Sequence, residues 1–265
     1  MTAIRVSIPS WRARGAVPHL LFGAVIFGTW EAYGRLGDSL LVPPVSAILA
    51  ALYDLTLSGQ LPSALLESAT LLAAGLSAAL VIGFVFGVIT GRSKVMHRTL
   101  SPFFNALFVT PTVALVPLVL IWFGFEFQGR VIVVFLAAVV AVLISVHAGI
   151  RDAPPDLVDV ARSFGVDSEI GLLRHVLLRA AVPLIMSGIR LAVGRAVVGM
   201  AVAEVYLRLG GIGALISGYG AVFRTDYLFA SILPLPIMGI GLAALVARIE
   251  RRFQSWRTYA SEASE

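Results

Sequence analysis

The sequence has little charge and no cysteine. Only 13% of its 265 residues are Asp, Glu, Lys or Arg, whereas 58% are hydrophobic, and the mean hydropathy is +0.93. A soluble domain carries about 25% charged residues, which cover its surface. Because this chain has too few charges to face water on all sides, we predict an integral membrane protein. The absence of cysteine also excludes a disulfide framework and a thiolate metal site.

The chain has a single lysine, Lys94, which follows Ser93. A P-loop needs a Gly-Lys pair to hold nucleotide phosphates, so the chain cannot bind ATP in that way. Its four histidines lack metal-ligand spacing, and no Ser/His/Asp grouping stands out. We therefore expect neither enzymatic activity nor a resident metal or cofactor. The net charge of +5 comes from basic residues between apolar runs, which favours contact with lipid headgroups over nucleic acid.

Six apolar runs approach the roughly 20 residues that a helix needs to cross a bilayer. The third is interrupted by Pro111 and Pro117, which break helical hydrogen bonds and could permit a gate-like bend or simply kink the helix. A shorter helix is predicted at Val45–Leu57, outside these runs. The six predicted spans are Val17–Tyr33, Leu65–Thr90, Phe103–Phe123, Val131–Ile150, Pro183–Tyr206 and Leu228–Ile249.

The distribution of basic residues predicts the orientation. Fourteen lie in the two tails and in the loops that share their side, whereas four lie on the other side (Arg35, Arg130, Arg208 and Arg224). By the positive-inside rule both termini are cytoplasmic, which agrees with an even number of spans. We predict one transmembrane domain over residues 1–265, with an N-terminal tail (1–16), a core (about 65–250), a cytoplasmic segment (151–181) and a C-terminal tail (250–265).

The cytoplasmic segment contains a predicted amphipathic helix. Asp156 follows two prolines and is suited to cap its start, while Gly165 is suited to end it in the left-handed region. Apolar residues recur between them with helical spacing. Such a face either packs on the inner ends of the spans or docks a soluble partner. Its apolar residues are Leu157, Val160, Ala161 and Phe164.

A second helix is predicted from Ser168 to Leu178. It would place Ile170, Leu173 and Leu177 on a common face.

The fifth span carries Arg190, Arg195 and Glu204. Charges within a span are costly and usually face the bundle interior or a wet cavity. At 100° per residue Arg190 and Glu204 share a face, whereas Arg195 points elsewhere, about 140° from Arg190. We predict Arg190 and Glu204 as candidate translocation-path residues, with Arg190 suited to an anionic solute. The alternatives are that Arg190 reaches the cytoplasmic surface and that Glu204 sits among headgroups.

The same span contains Gly188, Gly194 and Gly199, which allow close helix approach. A contact between two copies and packing within one chain explain them equally well.

Several motifs resemble those of permease subunits of bacterial ABC importers. Asp159-Val160-Ala161, followed after Arg162, Ser163 and Phe164 by Gly165, resembles their E-A-A-x-x-x-G loop, although Asp159 and Val160 replace Glu and Ala. The surrounding sequence is similar to the nitrate/sulfonate/taurine-type branch from about Leu41 to Trp256. The other matching stretches are Phe108–Gly124, Ser187–Gly194 with Ala203-Glu204, Gly210–Gly213 and Phe223-Arg224-Thr225.

This resemblance implies a fold and partners. The fold would be an all-α polytopic membrane protein of about six transmembrane helices, like the transmembrane domain of a type I ABC importer, in the bacterial inner membrane. The cytoplasmic helix would be the coupling helix, docking an ABC ATPase through Asp156–Gly165. ATP and Mg would bind that ATPase. The other expected partners are a second permease and an extracytoplasmic substrate-binding protein.

The sequence therefore predicts the transmembrane permease subunit of an ATP-driven importer for a small polar solute, an organic anion being one possibility. The alternative is a secondary transporter or channel that works without an ATPase. No inverted pair of spans with matching breaks supports that alternative. A membrane-bound enzyme is a third class, and it lacks any catalytic grouping in the spans.

Overall fold

The computed structural model describes residues 16–37 and 40–253, and over them the chain is helical and contains no strand. The predicted N-terminal tail lies outside the described residues up to residue 15, and the C-terminal tail from residue 254. The helices are α1 (Ala16–Leu36), α2 (Val45–Leu57), α3 (Gln60–Arg92), α4 (Lys94–Val109), α5 (Thr112–Phe123), α6 (Phe127–Arg151), α7 (Pro155–Ser163), α8 (Glu169–Leu172), α9 (Leu178–Leu207), α10 (Gly211–Ala221), α11 (Thr225–Ile232) and α12 (Pro234–Phe253).

Helices α3, α6 and α9 form the centre of the bundle. On α3, small residues recur every fourth position and face α6, so the two backbones approach closely. At Gly87 an added Cβ would lie 2.6 Å from the Cβ of Val146, a distance that real atoms do not adopt. The other α3 residues of this stripe are Gly75, Ala79, Gly83 and Gly91.

The glycines of α9 pack mainly within the chain. Gly188 faces Ser145 of α6 and Gly199 faces Ala137 of α6, each too close for a Cβ to fit. Gly194 has nothing within 4 Å of its Cβ position. Of the two explanations that the sequence allows, packing within the chain therefore holds for Gly188 and Gly199.

Among the described residues, four helical stretches are long and apolar enough to cross a membrane, or five if the bent pair α4–α5 is one span. The predicted third span, Phe103–Phe123, is wrong as a continuous helix. It breaks between Val109 and Thr112 and bends by 100°, because Pro111 lacks an N–H and restricts the residue before it. Pro117 lies inside α5, where a helix is retained.

The predicted first span, Val17–Tyr33, is helical as part of α1 but is not among the four or five. Polar residues such as Glu31 in its last third lower its hydropathy. The predicted helix Val45–Leu57 is confirmed as α2, which packs with α11 around Ile48, Leu55 and Ala230.

The cytoplasmic segment differs in detail from its prediction. Helix α7 is capped by Pro154 and begins at Pro155, so Asp156 lies in its first turn and is not the N-cap. Proline is well suited to the first helical position, where an N–H would have no helical partner. Gly165 has φ +84°, as expected for a left-handed helix stop.

The predicted second helix is correct at its start, and two residues of its predicted face, Leu173 and Leu177, pack against the core, whereas Ile170 does not. Ser168 caps α8, whose last residue leads into a π-helical turn, Leu173–Leu177, and directly into α9. The π-turn adds a residue per turn and changes the register. Consequently Leu172 and Leu177, five residues apart, are both buried, whereas Ile170 is 78% exposed.

Candidate functional site

A cavity of about 540 Å³ opens beside the bend between α4 and α5. Its walls come from the end of α4, the bend, the start of α5, two residues of α6 and one face of α9. Backbone freed from helical bonding is tolerated at membrane depth where it lines a cavity, and Thr110, Pro111 and Thr112 lie on this wall. The bend is therefore part of the cavity and not only a kink.

Two of the three arginines of α9, Arg190 and Arg195, line this cavity. Arg190 pairs with Glu250 of α12. Arg195 lies over the ring of Phe108, with its guanidinium carbon 4.1 Å from the ring centroid. The sequence interpretation set Arg195 aside because it points about 140° from Arg190. The cavity wall, however, covers about half the circumference of α9, from Arg190 at one edge to Gly199 at the other, and Arg195 lies within it.

Glu204 does not line the cavity. It is fully buried, and its carboxylate accepts hydrogen bonds from Ser68 Oγ at 2.7 and 2.9 Å and from the Gly213 N–H at 3.0 Å. The Ile212 N–H in turn donates to Ser68 Oγ at 2.9 Å. The expectation of Glu204 among headgroups is therefore wrong, because the start of α10 folds back onto it. Its part in translocation remains a prediction.

A second carboxylate extends this buried group. Glu67 of α3 accepts a hydrogen bond from the Gly211 N–H at 3.0 Å and pairs with Arg130 of α6 at 3.1 Å. Arg130, assigned from the sequence to a loop, lies in the first turn of α6 and is 8% exposed. We call Glu67, Ser68, Arg130, Glu204 and the amides of 211–213 the Glu204 cluster. Sequence reasoning missed its α3 and α6 members because their spacing along the chain carries no periodic signal.

The Glu204 cluster explains the glycines at 210–213. A Cβ at Gly211 would lie 2.1 Å from Glu204 Oε1, and a Cβ at Gly213 would lie 2.4 Å from Glu204 Cβ. Gly211 also has φ +68°, which side chains other than glycine rarely adopt. These glycines let backbone amides reach the carboxylates of Glu67 and Glu204.

At the opposite end of the bundle, α7 leaves its apolar residues uncovered. Leu157 is 47% exposed, Val160 54% and Phe164 85%, and no residue of α7 is fully buried. Leu157 and Val160 also border a groove of about 750 Å³ between α7 and the start of α9. Of the two predicted roles of this face, packing on the spans is therefore not what the structure shows for these three side chains.

Charged residues flank the exposed face. Asp156, Asp159 and Arg162 are all on α7, where the two aspartates are exposed, and Glu169 of α8 pairs with Arg92 at the end of α3. Ala161 is half-buried and borders the groove with Arg179 and Arg252. The surface is thus an apolar centre with charged edges, as in many docking sites.

Two histidines that are distant in sequence meet near this end. His97 Nδ1 lies 2.9 Å from His147 Nε2, and the rings stack at 4.9 Å between centroids. Ser101 and Thr90 complete the contacts of the pair. No group of three or more His, Cys, Asp or Glu is placed to hold a metal in the described part of the chain. This pair joins α4 to α6, and no local sequence motif predicts the contact.

Comparison with solved structures supports the fold. The chain resembles a chain of the inward-facing MetNI methionine ABC transporter with a TM-score of 0.60 and 18% identity, over 71% of this chain and 93% of that one. At this identity the likeness shows a shared transmembrane fold.

Sequence relatives cover almost the whole chain. A Bacillus subtilis (strain 168) protein whose name assigns it to aliphatic sulfonate transport, SsuC, is 32% identical over 94% of this chain and 91% of its own length. The taurine transport system permease protein TauC of Escherichia coli (strain K12) is 27% identical over 88% and 87%. The bicarbonate transport system permease protein CmpB of Synechococcus elongatus is 29% identical over 84% of each chain.

The model of the family described as binding-protein-dependent transport system inner membrane component matches residues 79–255. That stretch contains the bend, the cavity face of α9, α7 and the glycines that bind Glu204. With apolar spans, a bent fourth-to-fifth helix and relatives that are transport permeases, the multi-pass inner-membrane protein described here is an ABC importer permease, and the chain belongs to the binding-protein-dependent transport system inner membrane component family.

Proposed function

We propose that this permease docks a separate cytoplasmic ABC ATPase through α7 and passes a small anionic solute along the cavity beside α9. The exposed apolar face of α7 is the observation that carries the first part. Its three side chains are between 47% and 85% exposed, and burying them on a partner would remove apolar surface from water. Asp156, Asp159, Arg162 and Gly165 frame this face.

The solute class is supported by the cavity and by the relatives. The described cavity wall carries two arginines and no acidic residue. Relatives are named for sulfonates, taurine and bicarbonate, each of which carries an anionic group. A substrate-binding protein would deliver the solute, and a second permease copy or a homologous permease would complete the path. ATP and Mg would be bound by the ATPase alone.

A pull-down with a matched control tests the docking surface. The variant Leu157→Ser/Val160→Ser/Phe164→Ser is purified in detergent beside the wild type, from a host that encodes its native neighbours, and ATPase activity is assayed in each eluate. We expect the ATPase to be lost by more than about 100-fold, since apolar anchors at the centre of an interface each contribute strongly. The control is Leu49→Ser/Tyr53→Ser/Leu57→Ser on α2, three exposed apolar residues at the other end of the bundle.

The control should retain the ATPase. Retention by the α7 variant would show that the partner binds elsewhere. If the wild-type eluate contained no ATPase, the proposed coupling to an ATPase would be contradicted. A transporter or channel that works alone would then be favoured.

A further inference from the structure

The two arginines of the cavity differ in whether their charge is already neutralised. Arg190 pairs with the carboxylate of Glu250, which is 17% exposed. That contact joins α9 to α12 and offsets the positive charge of Arg190. Although Arg190 was the sequence candidate for contact with an anion, its charge is therefore engaged by the protein itself.

Arg195 has no such partner. Within residues 16–37 and 40–253, no carboxylate pairs with it, and its guanidinium group instead lies over the ring of Phe108, at 4.1 Å from the centroid. Contact with an aromatic face holds a guanidinium group while leaving its N–H donors free. Arg195 is held in place, half-buried and still positively charged, on the wall of the cavity.

The surroundings of Arg195 define a solute shape. Close to the bend, Thr110 and Thr112 lie on the wall, and the Thr110 hydroxyl already donates to the Ala106 carbonyl oxygen at 2.8 Å. The remainder of the lining is mostly apolar, as Val113, Leu191 and Val198 illustrate. A cation that no carboxylate pairs, with a polar edge at the bend and an apolar surface elsewhere, suits an oxyanion that carries a short apolar chain.

We propose that Arg195, positioned by Phe108, is the anion-contacting and selectivity-determining residue of this cavity, and that it favours small organic oxyanions such as alkanesulfonates. Arg190, neutralised by Glu250, serves as a tie between α9 and α12. This inference rests on the proposed transport function for its transport test, but its electrostatic test is independent of transport.

The electrostatic test exploits the absence of cysteine from the chain. Val198→Cys places one thiol on the cavity wall, one helical turn from Arg195 and on the same face. In native membranes its rate of modification is measured with an anionic reagent, sulfonatoethyl methanethiosulfonate, and a cationic one, trimethylammonioethyl methanethiosulfonate. A free charge about 6 Å away should raise the anion-to-cation rate ratio, and adding Arg195→Gln should lower that ratio roughly tenfold.

Arg195→Lys is the matched control for the charge. It should preserve most of the ratio, because the positive charge remains. An unchanged ratio after Arg195→Gln would overturn the inference, and so would a thiol at position 198 that neither reagent reaches. Phe108→Leu, which removes the stacking partner but not the charge, should lower the ratio less than Arg195→Gln.

Transport is then measured in proteoliposomes that contain the permease with its own ATPase and binding protein. Ethanesulfonate and bicarbonate are the probes. We expect Arg195→Gln to reduce ethanesulfonate uptake at least tenfold while ATPase activity stimulated by the loaded binding protein persists, because assembly is intact. Wild-type complex that moves neither probe would contradict the proposed anion transport. Wild-type uptake that Arg195→Gln leaves unchanged would contradict only the role of Arg195.

Discussion

The two ends of the bundle differ in which groups find partners within the chain. At the end where α3 and α6 begin and α9 finishes, the buried carboxylate of Glu204 and the partly exposed carboxylate of Glu67 accept hydrogen bonds from backbone N–H groups, Ser68 or Arg130. At the other end, Leu157 and Val160 of α7 and Phe164, the residue that follows it, are left exposed. The carboxylates find partners within the chain at one end, although Arg130 Nε is buried there without a hydrogen bond to any described residue, whereas apolar groups remain uncovered at the other end.

This difference separates a structural seal from a binding surface. A buried charge is costly unless it is paired and hydrogen-bonded. The hydrogen bonds of the Glu204 cluster must therefore offset the cost of burying Glu204, and they do so by joining the helices firmly. An exposed apolar face near charged residues instead suits an interface. We infer that the Glu204 end is held by the chain itself, while the α7 end is completed by another protein.

The largest expected effect on stability comes from breaking the closed end with Glu204→Ala. The change leaves Ser68 Oγ and the Gly213 N–H without their acceptor in a buried site, and we expect a loss of about 3 kcal/mol in the free energy of unfolding. Thermal unfolding in detergent, followed by tryptophan fluorescence, measures it.

Glu204→Gln is the control for that change. It keeps an acceptor oxygen and the volume, and it should cost about half as much. Equal stability of the Ala variant and the wild type would show that the cluster does not hold the helices together.

A second change asks whether close packing extends toward the α7 end. Gly87 lies near the end of α3, and a Cβ there would lie 2.6 Å from Val146 Cβ and 2.9 Å from the Leu143 carbonyl oxygen. Overpacking of this kind should cost about 2 kcal/mol in Gly87→Ala. The same unfolding measurement applies.

Gly241→Ala in α12 is the matched control, since nothing lies within 4 Å of its Cβ position. It should be neutral or stabilise by less than about 1 kcal/mol. If both variants behave alike, the α7 end is loosely packed, and its exposed face is not the surface of a firm scaffold.

The smallest expected effect concerns the ion pair between Arg92 of α3 and Glu169 of α8. Glu169 is 69% exposed on its side chain, and exposed pairs contribute little because water and salt screen them. Arg92→Gln should lower the free energy of unfolding by about 0.5 kcal/mol. The charge-reversed double variant Arg92→Glu/Glu169→Arg should recover the lost stability. A loss in Arg92→Gln several times larger than expected would mean that this pair anchors the segment between α7 and α9.

Periodic and compositional signals predicted most of the architecture. The apolar runs within α3, α6 and α9, and the run that begins in α11 and ends in α12, were long enough to be recognised. The α2 helix was predicted with its observed bounds. The α7 helix was predicted from its apolar spacing, although its cap is Pro154 and not Asp156. The prediction of a continuous third span failed because the chain bends by 100° at Pro111. Proline permits such a bend, but it does not require one.

The site was less accessible to sequence reasoning than the fold. Arg190 was recognised as a charge in a span, but whether Glu250 neutralises it depends on how α12 packs on α9. Arg195 was set aside on angular grounds because the width of the cavity wall was unknown. The Glu204 cluster joins residues 67, 130, 204 and 211–213, and no local pattern connects positions so far apart.

The sequence by itself determined that the chain is a helical membrane protein with an amphipathic helix between its spans. It did so because hydropathy and helical periodicity are local properties, readable over a few turns. Only the tertiary structure decided which charges are neutralised, which glycines touch another helix and which apolar face stays open. Those properties depend on which helices become neighbours, and pairwise contacts, not composition, set the electrostatic and packing environment of each side chain.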